Sequence, residues 1–488
     1  MLISTLLYLA LGAPAVQGPV TTTPAPSARL RSSQVPGARK PRTTWQAPPL
    51  PTRGIYGERL PTSNGGQIGA VFGGTPTRIG GPMASITGML SHSVMQISFN
   101  DPAGTGWNES AILGIPAMPI ANPPLLVMFH SYNVSEWDCY LNTPIFKLAL
   151  ERGWYVIAPL GAHQVNFSIP YSQANIEAVL DWTMMTFPVD PNRIYGVGFS
   201  MGGGGVTSYM ARHLDPAHPR FAAVVHHTGG VSIANTHENT VNPSVLEDAS
   251  MFGGPPSLVP FKYAQASVMD IDGATGTINA ATDMARNVAH IPLRSFTIAS
   301  EPAATAYLRT QTLALFNWML GFSSNGNWQE ITGNTHEWIH LDPVTTLEFL
   351  RQQTLTMPRA GTHRVLADRE GTWHHFYIEQ DAPGAFTPFR WTMLDSLNRV
   401  VIDQTENLKR IVIDSASLGL HTQVVTEVVI GTSDGLPEEV TLSGYPTPPT
   451  SVSRGPQTTA AWSWNAVTEA VTLQEANASG YPLWTITP

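Results

Sequence analysis

The chain has 488 residues, and at ~150 residues per domain that is room for about three structural units. Hydrophobic residues make up 42% and charged residues only 12%, too apolar and too charge-poor for a disordered, solvating chain. The net charge of −9 gives no reason to expect nucleic-acid binding, and no apolar run approaches the ~18 residues of a membrane-spanning helix. The single cysteine, Cys139, excludes an intrachain disulfide and a Cys-rich metal site.

Residues 2–11 (L-I-S-T-L-L-Y-L-A-L) are apolar, and Ala13-Pro14-Ala15 follows as an A-x-A cleavage pattern. Residues 1–15 therefore read as a signal peptide and predict a secreted or periplasmic protein, although no Lys or Arg precedes the apolar run. Residues 16–90 read as a Pro- and Gly-rich, partly disordered linker. Eight prolines fall within 19–52, where fixed φ angles and missing N–H groups prevent a regular element. Within residues 1–60 seven basic residues (Arg29, Arg31, Arg39, Lys40, Arg42, Arg53 and Arg59) stand against Glu58. A basic leader precedes an acidic body, and its plain reading is a solvated tether.

Residues 91–358 alternate strand-like and helix-like patterns. Leu125–Phe129 predicts a buried strand, Leu141–Arg152 a helix, Trp154–Leu160 a strand and Ser172–Phe187 a helix. Asp190-Pro191 marks a turn before the strands Arg193–Phe199 and Phe221–Val225. Residues 229–290 lose the rhythm and read as an insertion. Leu293–Ala299 predicts a strand, Thr305–Leu320 a helix, Trp328–Ile331 a strand and Val344–Thr354 a helix. The alternation implies βαβ units and an α/β fold with a mostly parallel sheet.

From 359 to 488 the texture changes to short strand-like runs separated by turn signals: Trp373–Ile378, Phe389–Leu394, Val400–Ile402, Ile411–Ile413, Val424–Ile430, Val440–Leu442, Ala461–Trp464, Val471–Leu473 and Leu483–Ile486. This predicts a C-terminal all-β, sandwich-like domain. Breaking the chain near Arg359 would then leave an independent catalytic unit. Trp462 and Trp464, two apart on one strand face, read as core, or as a carbohydrate- or polymer-binding surface of a β-domain that attaches to a polymer or a cell surface.

Gly198-Phe199-Ser200-Met201-Gly202 fits G-x-S-x-G. With 42 glycines in the chain the motif is weak alone, but an apolar strand feeds it and a helix-like stretch follows. That context exposes the serine Oγ on a sharp turn, and the helix start offers the free N–H of Met201 to a developing oxyanion. The neighbouring glycines fail both phosphate-binding patterns, because residue 201 is Met in G-x-G-x-x-G and no Gly-Lys-Ser/Thr follows.

The segment V-D-P-N-R-I-Y-G-V-G-F-S-M-G-G-G (189–204) resembles the α/β-hydrolase fold of secreted esterases, of feruloyl-esterase, polyhydroxyalkanoate-depolymerase and prolyl-oligopeptidase-like type. The S-M-G-G-G-G run is also similar to bacterial cutinases that hydrolyse polyesters. The resemblance covers about residues 95–355. It implies a second oxyanion N–H in the turn after Leu125–Phe129, from Ser131 or Tyr132, with Tyr132 favoured by the cutinase pattern. The family order of serine, acid and histidine implies His336 as base and Glu301 as acid, with Asp283 and Asp272 as fallbacks. Tyr132, Trp137, Phe199, Met201 and Trp338 flank this site in sequence, with Ser131, Trp137, Phe199 and Trp338 as substrate-binding candidates suited to an apolar or aromatic acyl group. His226-His227 are further pocket candidates.

His336-Glu337-Trp338-Ile339-His340 is also a literal H-E-x-x-H. A zinc site needs both histidines on one helix plus a third ligand, yet Gly333-Asn334 and Asp342-Pro343 bracket the motif and residue 346 is Thr. The expectation is a secreted serine hydrolase of carboxylic esters with no metal and no organic cofactor. Its substrate is left open among simple acyl, feruloyl and polymeric esters. The alternatives are a prolyl-oligopeptidase-type serine peptidase, a zinc metallopeptidase and a non-catalytic binding protein on a hydrolase fold.

Overall fold

In the computed structural model, described residues are 82–84, 91–240, 242–272, 275–323, 325–359, 361–431, 439–455, 460–474 and 483–488. The apolar leader and almost all of the linker lie outside them. The described residues belong to one unit, 49–488, and none of their helices is long and apolar enough to cross a membrane.

Nine strands build the first sheet: β1 (Pro82–Ala84), β2 (Ser91–Phe99), β3 (Glu109–Ile115), β4 (Leu125–Phe129), β5 (Tyr155–Pro159), β6 (Ile194–Phe199), β7 (Ala223–His227), β8 (Leu293–Ile298) and β9 (Gly326–Ile331). Their order is β1-β2-β3-β5-β4-β6-β7-β8-β9. The first three pair antiparallel with their neighbours, and every pair from β5 to β9 is parallel. Parallel strands joined by helices are covered on both faces, which is why β4, β5, β6 and β7 are buried at every position. This is the α/β-hydrolase fold.

The principal helices are α1 (Ile145–Glu151), α2 (Pro170–Thr186), α3 (Met201–Arg212), α4 (Ile233–Asn239), α5 (Pro260–Ala266), α6 (Ala306–Met319) and α7 (Pro343–Arg351). Pro170, Pro260 and Pro343 open α2, α5 and α7, where a missing N–H costs nothing. The expected insertion, 229–290, is a helical cap holding α4 and α5, with a satellite apolar cluster around Ile233, Leu246, Phe252 and Tyr263.

Beyond residue 360 two six-stranded sheets stack. Phe389 and Trp391 from one sheet meet Phe376 from the other at ring-centroid distances of 5.4 and 5.3 Å. In the strand Thr387–Leu394 buried residues alternate with partly exposed ones, as expected of a sheet with one face in a core. The run Trp373–Ile378, expected as one strand, is a hairpin of Gly371–Trp373 and Phe376–Gln380, turned at His374 with φ 57°. Trp462 and Trp464 both pack against the sandwich core, and the Trp464 indole donates to the Tyr445 carbonyl at 2.8 Å.

The change of architecture near Arg359 is not a break in packing. Val365, Leu366 and Ala367 share one apolar cluster with Tyr209, Ala211, Leu214 and Val288 of the catalytic half. Asn287 donates to the carbonyls of Ala211 and Leu366, each at 3.0 Å, and accepts from Leu366 N–H at 2.7 Å. Asp368, at 2% exposure, accepts from both Nε and Nη2 of Arg212 and from Gln265 at 2.7 Å. Burial opposes its charge, but the Arg212 and Arg369 guanidiniums outweigh this and hold its carboxyl down at about 2. The two architectures are thus joined by a continuous core and a buried ion pair.

Candidate active site

Ser200 stands between β6 and α3 with φ 58° and ψ −123°. A non-glycine residue held there costs about 1–3 kcal/mol and persists only where its surroundings enforce it. Here the Ser200 N–H donates to the His227 carbonyl at 3.0 Å, and its carbonyl accepts from Gly204 at 3.2 Å. The motif glycines are required by close approach: a Cβ on Gly198 would strike the Gly202 carbonyl, and one on Gly202 would strike the Phe129 carbonyl. Strand and helix meet at a distance only bare backbone permits.

His336 and Glu301 reach the serine from adjoining strand ends. The β8–β9 ladder continues past both strands, with Ala299 N–H donating to Ile331 at 2.9 Å and Ser300 N–H to Gly333 at 3.1 Å. The two loops therefore leave the sheet side by side. His336 Nε2 lies 2.7 Å from Ser200 Oγ, and Nδ1 contacts the Glu301 carboxylate, whose side chain is 1% exposed. Among the described residues no other donor reaches either Glu301 oxygen. The Phe199 ring lies 4.5 Å from the His336 ring and 5.4 Å from that of Trp338, supporting the imidazole face.

The fallback acids are elsewhere. Asp283 is fully buried, caps Ala285 and binds Arg286 and Trp318. Asp272 closes an exposed turn with Thr275. His226 and His227 lie beneath the serine turn instead of lining the cleft. Both are fully buried, and desolvation pushes them down to about 4 and about 3.

The H-E-x-x-H segment lacks the helix its zinc reading requires. Glu337 is extended, with φ −147° and ψ 154°, and only Trp338–His340 makes a single 3₁₀ turn. His336 faces Ser200, whereas His340 Nε2 pairs with Thr335 Oγ1 at 2.8 Å. Among the described residues no three metal-ligating side chains converge.

The oxyanion side of the site is set by a residue the sequence reading did not single out. The Ser131 N–H donates to Asp138 Oδ2 at 3.0 Å, so it is committed. The next N–H, that of Tyr132, has no hydrogen-bond partner among the described residues, and neither does that of Met201 at the first position of α3. His130 pins the same loop, its Nε2 2.8 Å from the Leu160 carbonyl.

Ser200 and His336 open into a cleft of ≈ 660 Å³ lined by Ser131, Tyr132, Phe199, Met201 and Trp338, with Phe167, Ile233, Tyr307, Leu308 and Ile339 around them. Trp137, expected to bind substrate, is not in this lining. Its ring stands edge-on to Tyr140 at 5.8 Å and packs on the apolar layer beneath.

No protein-family model and no curated relative matches the sequence. Among solved structures, the chain is similar to an S-formylglutathione hydrolase from Agrobacterium tumefaciens at 13% identity and TM-score 0.39, covering 59% of this chain and 98% of that one. It is similar to an acylaminoacyl peptidase from Pyrococcus horikoshii at 12% identity and TM-score 0.43, covering 56% and 44%. A fluorophosphonate-binding serine hydrolase from Staphylococcus aureus is 17% identical at TM-score 0.37, covering 53% and 98%. Likenesses this distant carry nothing about substrate; the fold rests on the strand order and the serine turn of this chain.

Proposed function

We propose that the protein is a serine hydrolase that cleaves carboxylic esters through an acyl-enzyme. The observation that carries this reading is the placement of Ser200, on a strained turn, 2.7 Å from His336 Nε2, with Glu301 against the other ring nitrogen. Ser200 Oγ attacks the ester carbonyl as His336 takes its proton. The N–H groups of Met201 and Tyr132 receive the negative oxygen. His336 then protonates the leaving alkoxide, and a water deprotonated by His336 releases the acid. Glu301 keeps the imidazole in the tautomer with Nε2 free and stabilises the imidazolium.

The aromatic and aliphatic lining favours esters of apolar or aromatic acids. The apolar stretch 2–11 and Ala13-Pro14-Ala15 support a secreted enzyme. The test compares wild type with Ser200→Ala on p-nitrophenyl acyl esters, with a fluorophosphonate adduct located by mass spectrometry. Loss of at least about 10³-fold in turnover is expected, with the adduct on Ser200. Near-normal turnover of the variant sinks the mechanism.

A further inference from the structure

We propose that Asp138 is the positioning residue that holds the oxyanion donor and the catalytic base in register; this rests on the esterase reading above. Asp138 is 6% exposed and lies at the wall of the cleft. Its Oδ2 accepts from Ser131 N–H at 3.0 Å, Ser131 Oγ–H at 2.9 Å and the Trp338 indole N–H at 2.8 Å. Its Oδ1 accepts from the Asn142 amide at 2.7 Å. One carboxylate thus joins the loop after β4 to the loop after β9, two segments 200 residues apart.

Each attachment acts next to a reacting group. Capture of the Ser131 N–H turns the peptide so that the following N–H, at Tyr132, is the one left for substrate oxygen. Trp338 sits two residues after His336 and packs on Phe199, which touches the His336 ring. Oxyanion donors and bases lose rate steeply when displaced, with ~1 Å of misplacement costing about 10²-fold. The four donors are all neutral groups, so Asp138 serves here as a four-fold acceptor and not as half of an ion pair.

That chemistry makes a discriminating pair of variants. In Asp138→Asn the amide oxygen can take the three donors of Oδ2, and its NH₂ can face the Asn142 oxygen after Asn142 flips its amide. Asp138→Ala leaves all four donors unmatched. The expected result for Asp138→Ala is a kcat lower by about 10²-fold with KM within about threefold. Binding of a trifluoromethyl ketone, which forms a tetrahedral adduct, should weaken by the same factor as kcat/KM. Asp138→Asn should stay within about tenfold of wild type, and Trp338→Phe, which removes one donor only, should lose about three- to tenfold in kcat.

Rates are taken per active site, titrated by fluorophosphonate, so unfolded protein does not count as slow enzyme. The inference is overturned if Asp138→Ala keeps its kcat within threefold, or if its loss lies in KM while the ketone still binds as to wild type. Trp338→Phe at full kcat overturns it as well, even if Asp138→Ala does not fold. If hydrolysis by the wild type itself proves independent of Ser200, the esterase reading fails and this inference with it. Ser200-dependent hydrolysis with an indifferent Asp138 removes this inference alone.

Discussion

Replacing Asp368 by Asn preserves the side-chain shape and deletes one charge at the seam between the two halves. Arg212, with a side chain only 3% exposed against 0% for Asp368, then loses the carboxylate that accepts from both its Nε and Nη2. Removing one member of such a pair costs about 3–5 kcal/mol, because the remaining charge stays desolvated. With a urea m-value of about 3 kcal/mol/M, the midpoint should fall by about 1–1.7 M. Arg212 closes the 12-residue helix that Ser200 opens, so Asp368 acts about 18 Å from the serine at 1.5 Å per residue. Turnover of the folded variant should therefore match wild type. Urea titration followed by tryptophan fluorescence, with ester hydrolysis measured in parallel, checks both statements. The double variant Arg212→Leu/Asp368→Leu should regain most of the loss, since an apolar pair needs no desolvated charges. A single-variant loss below about 1 kcal/mol, or a double variant as unstable as the two singles combined, would refute the reasoning.

Glu301→Gln should lower kcat by about 10²–10⁴-fold, the range for a triad acid turned into an amide; unchanged kcat in steady-state kinetics removes Glu301 from the mechanism. Glu337→Gln and His340→Ala should each retain activity within about threefold, and a chelator should leave turnover unchanged; an inactive His340→Ala protein that binds zinc would revive the metal reading. Acid should destabilise the fold below neutrality. Burial holds His226 at about 4, His227 and His290 at about 3, and His374 well below the ordinary value. Their folded values lie below the unfolded ~6.5, so their stabilisation is full above that pH and is lost as pH falls toward 3. Burial raises Glu109 to about 7 and Asp270 to about 6; they act with the opposite sign, losing stabilisation as pH rises through those values. The depressed histidines outnumber them, His213 at about 4 being a further one, so the unfolding free energy should drop between pH 6.5 and 5 by about 1.4 kcal/mol per pH unit for each unmatched histidine, and the urea midpoint with it. A flat midpoint over that range contradicts the assignment.

The strands around the serine were legible because they are short apolar runs between turn residues. Leu125–Phe129 is found with the expected limits, and Ile194–Phe199 begins one residue later than expected. The flanking hairpin of β2 and β3 was not named, since Ser91–Phe99 mixes Ser, His and Gln with its apolar residues. Gly361–Ala367 escaped for a similar reason: its polar half, Gly361 to Arg364, is the less buried end. His374 turns the chain at positive φ without the Gly or Asn that announces such turns. Ser200, His336 and Glu301 were legible through a motif and a chain order. Asp138 was not, because its role lies in contacts between loops far apart in sequence, and no local pattern encodes those.

The helix behind Ser200 has a consequence for how activity tracks the folded state. Its residues 202–205 are four consecutive glycines, each about 1 kcal/mol worse than Ala as a helix former. Such a segment has no helical tendency of its own. It is held by the backbone of Phe129 and His130 against Gly202, by that of Gly229 against Gly203, by that of Gly230 against Gly204, and by the Phe129 ring against Gly205. Those neighbours come from β4 and from the turn after β7, so the turn that strains Ser200 exists only once the centre of the sheet is assembled. Partly folded chains should be catalytically silent even where much secondary structure remains. Recovery of ester hydrolysis during refolding should therefore lag far-UV circular dichroism and coincide with the last step of assembly.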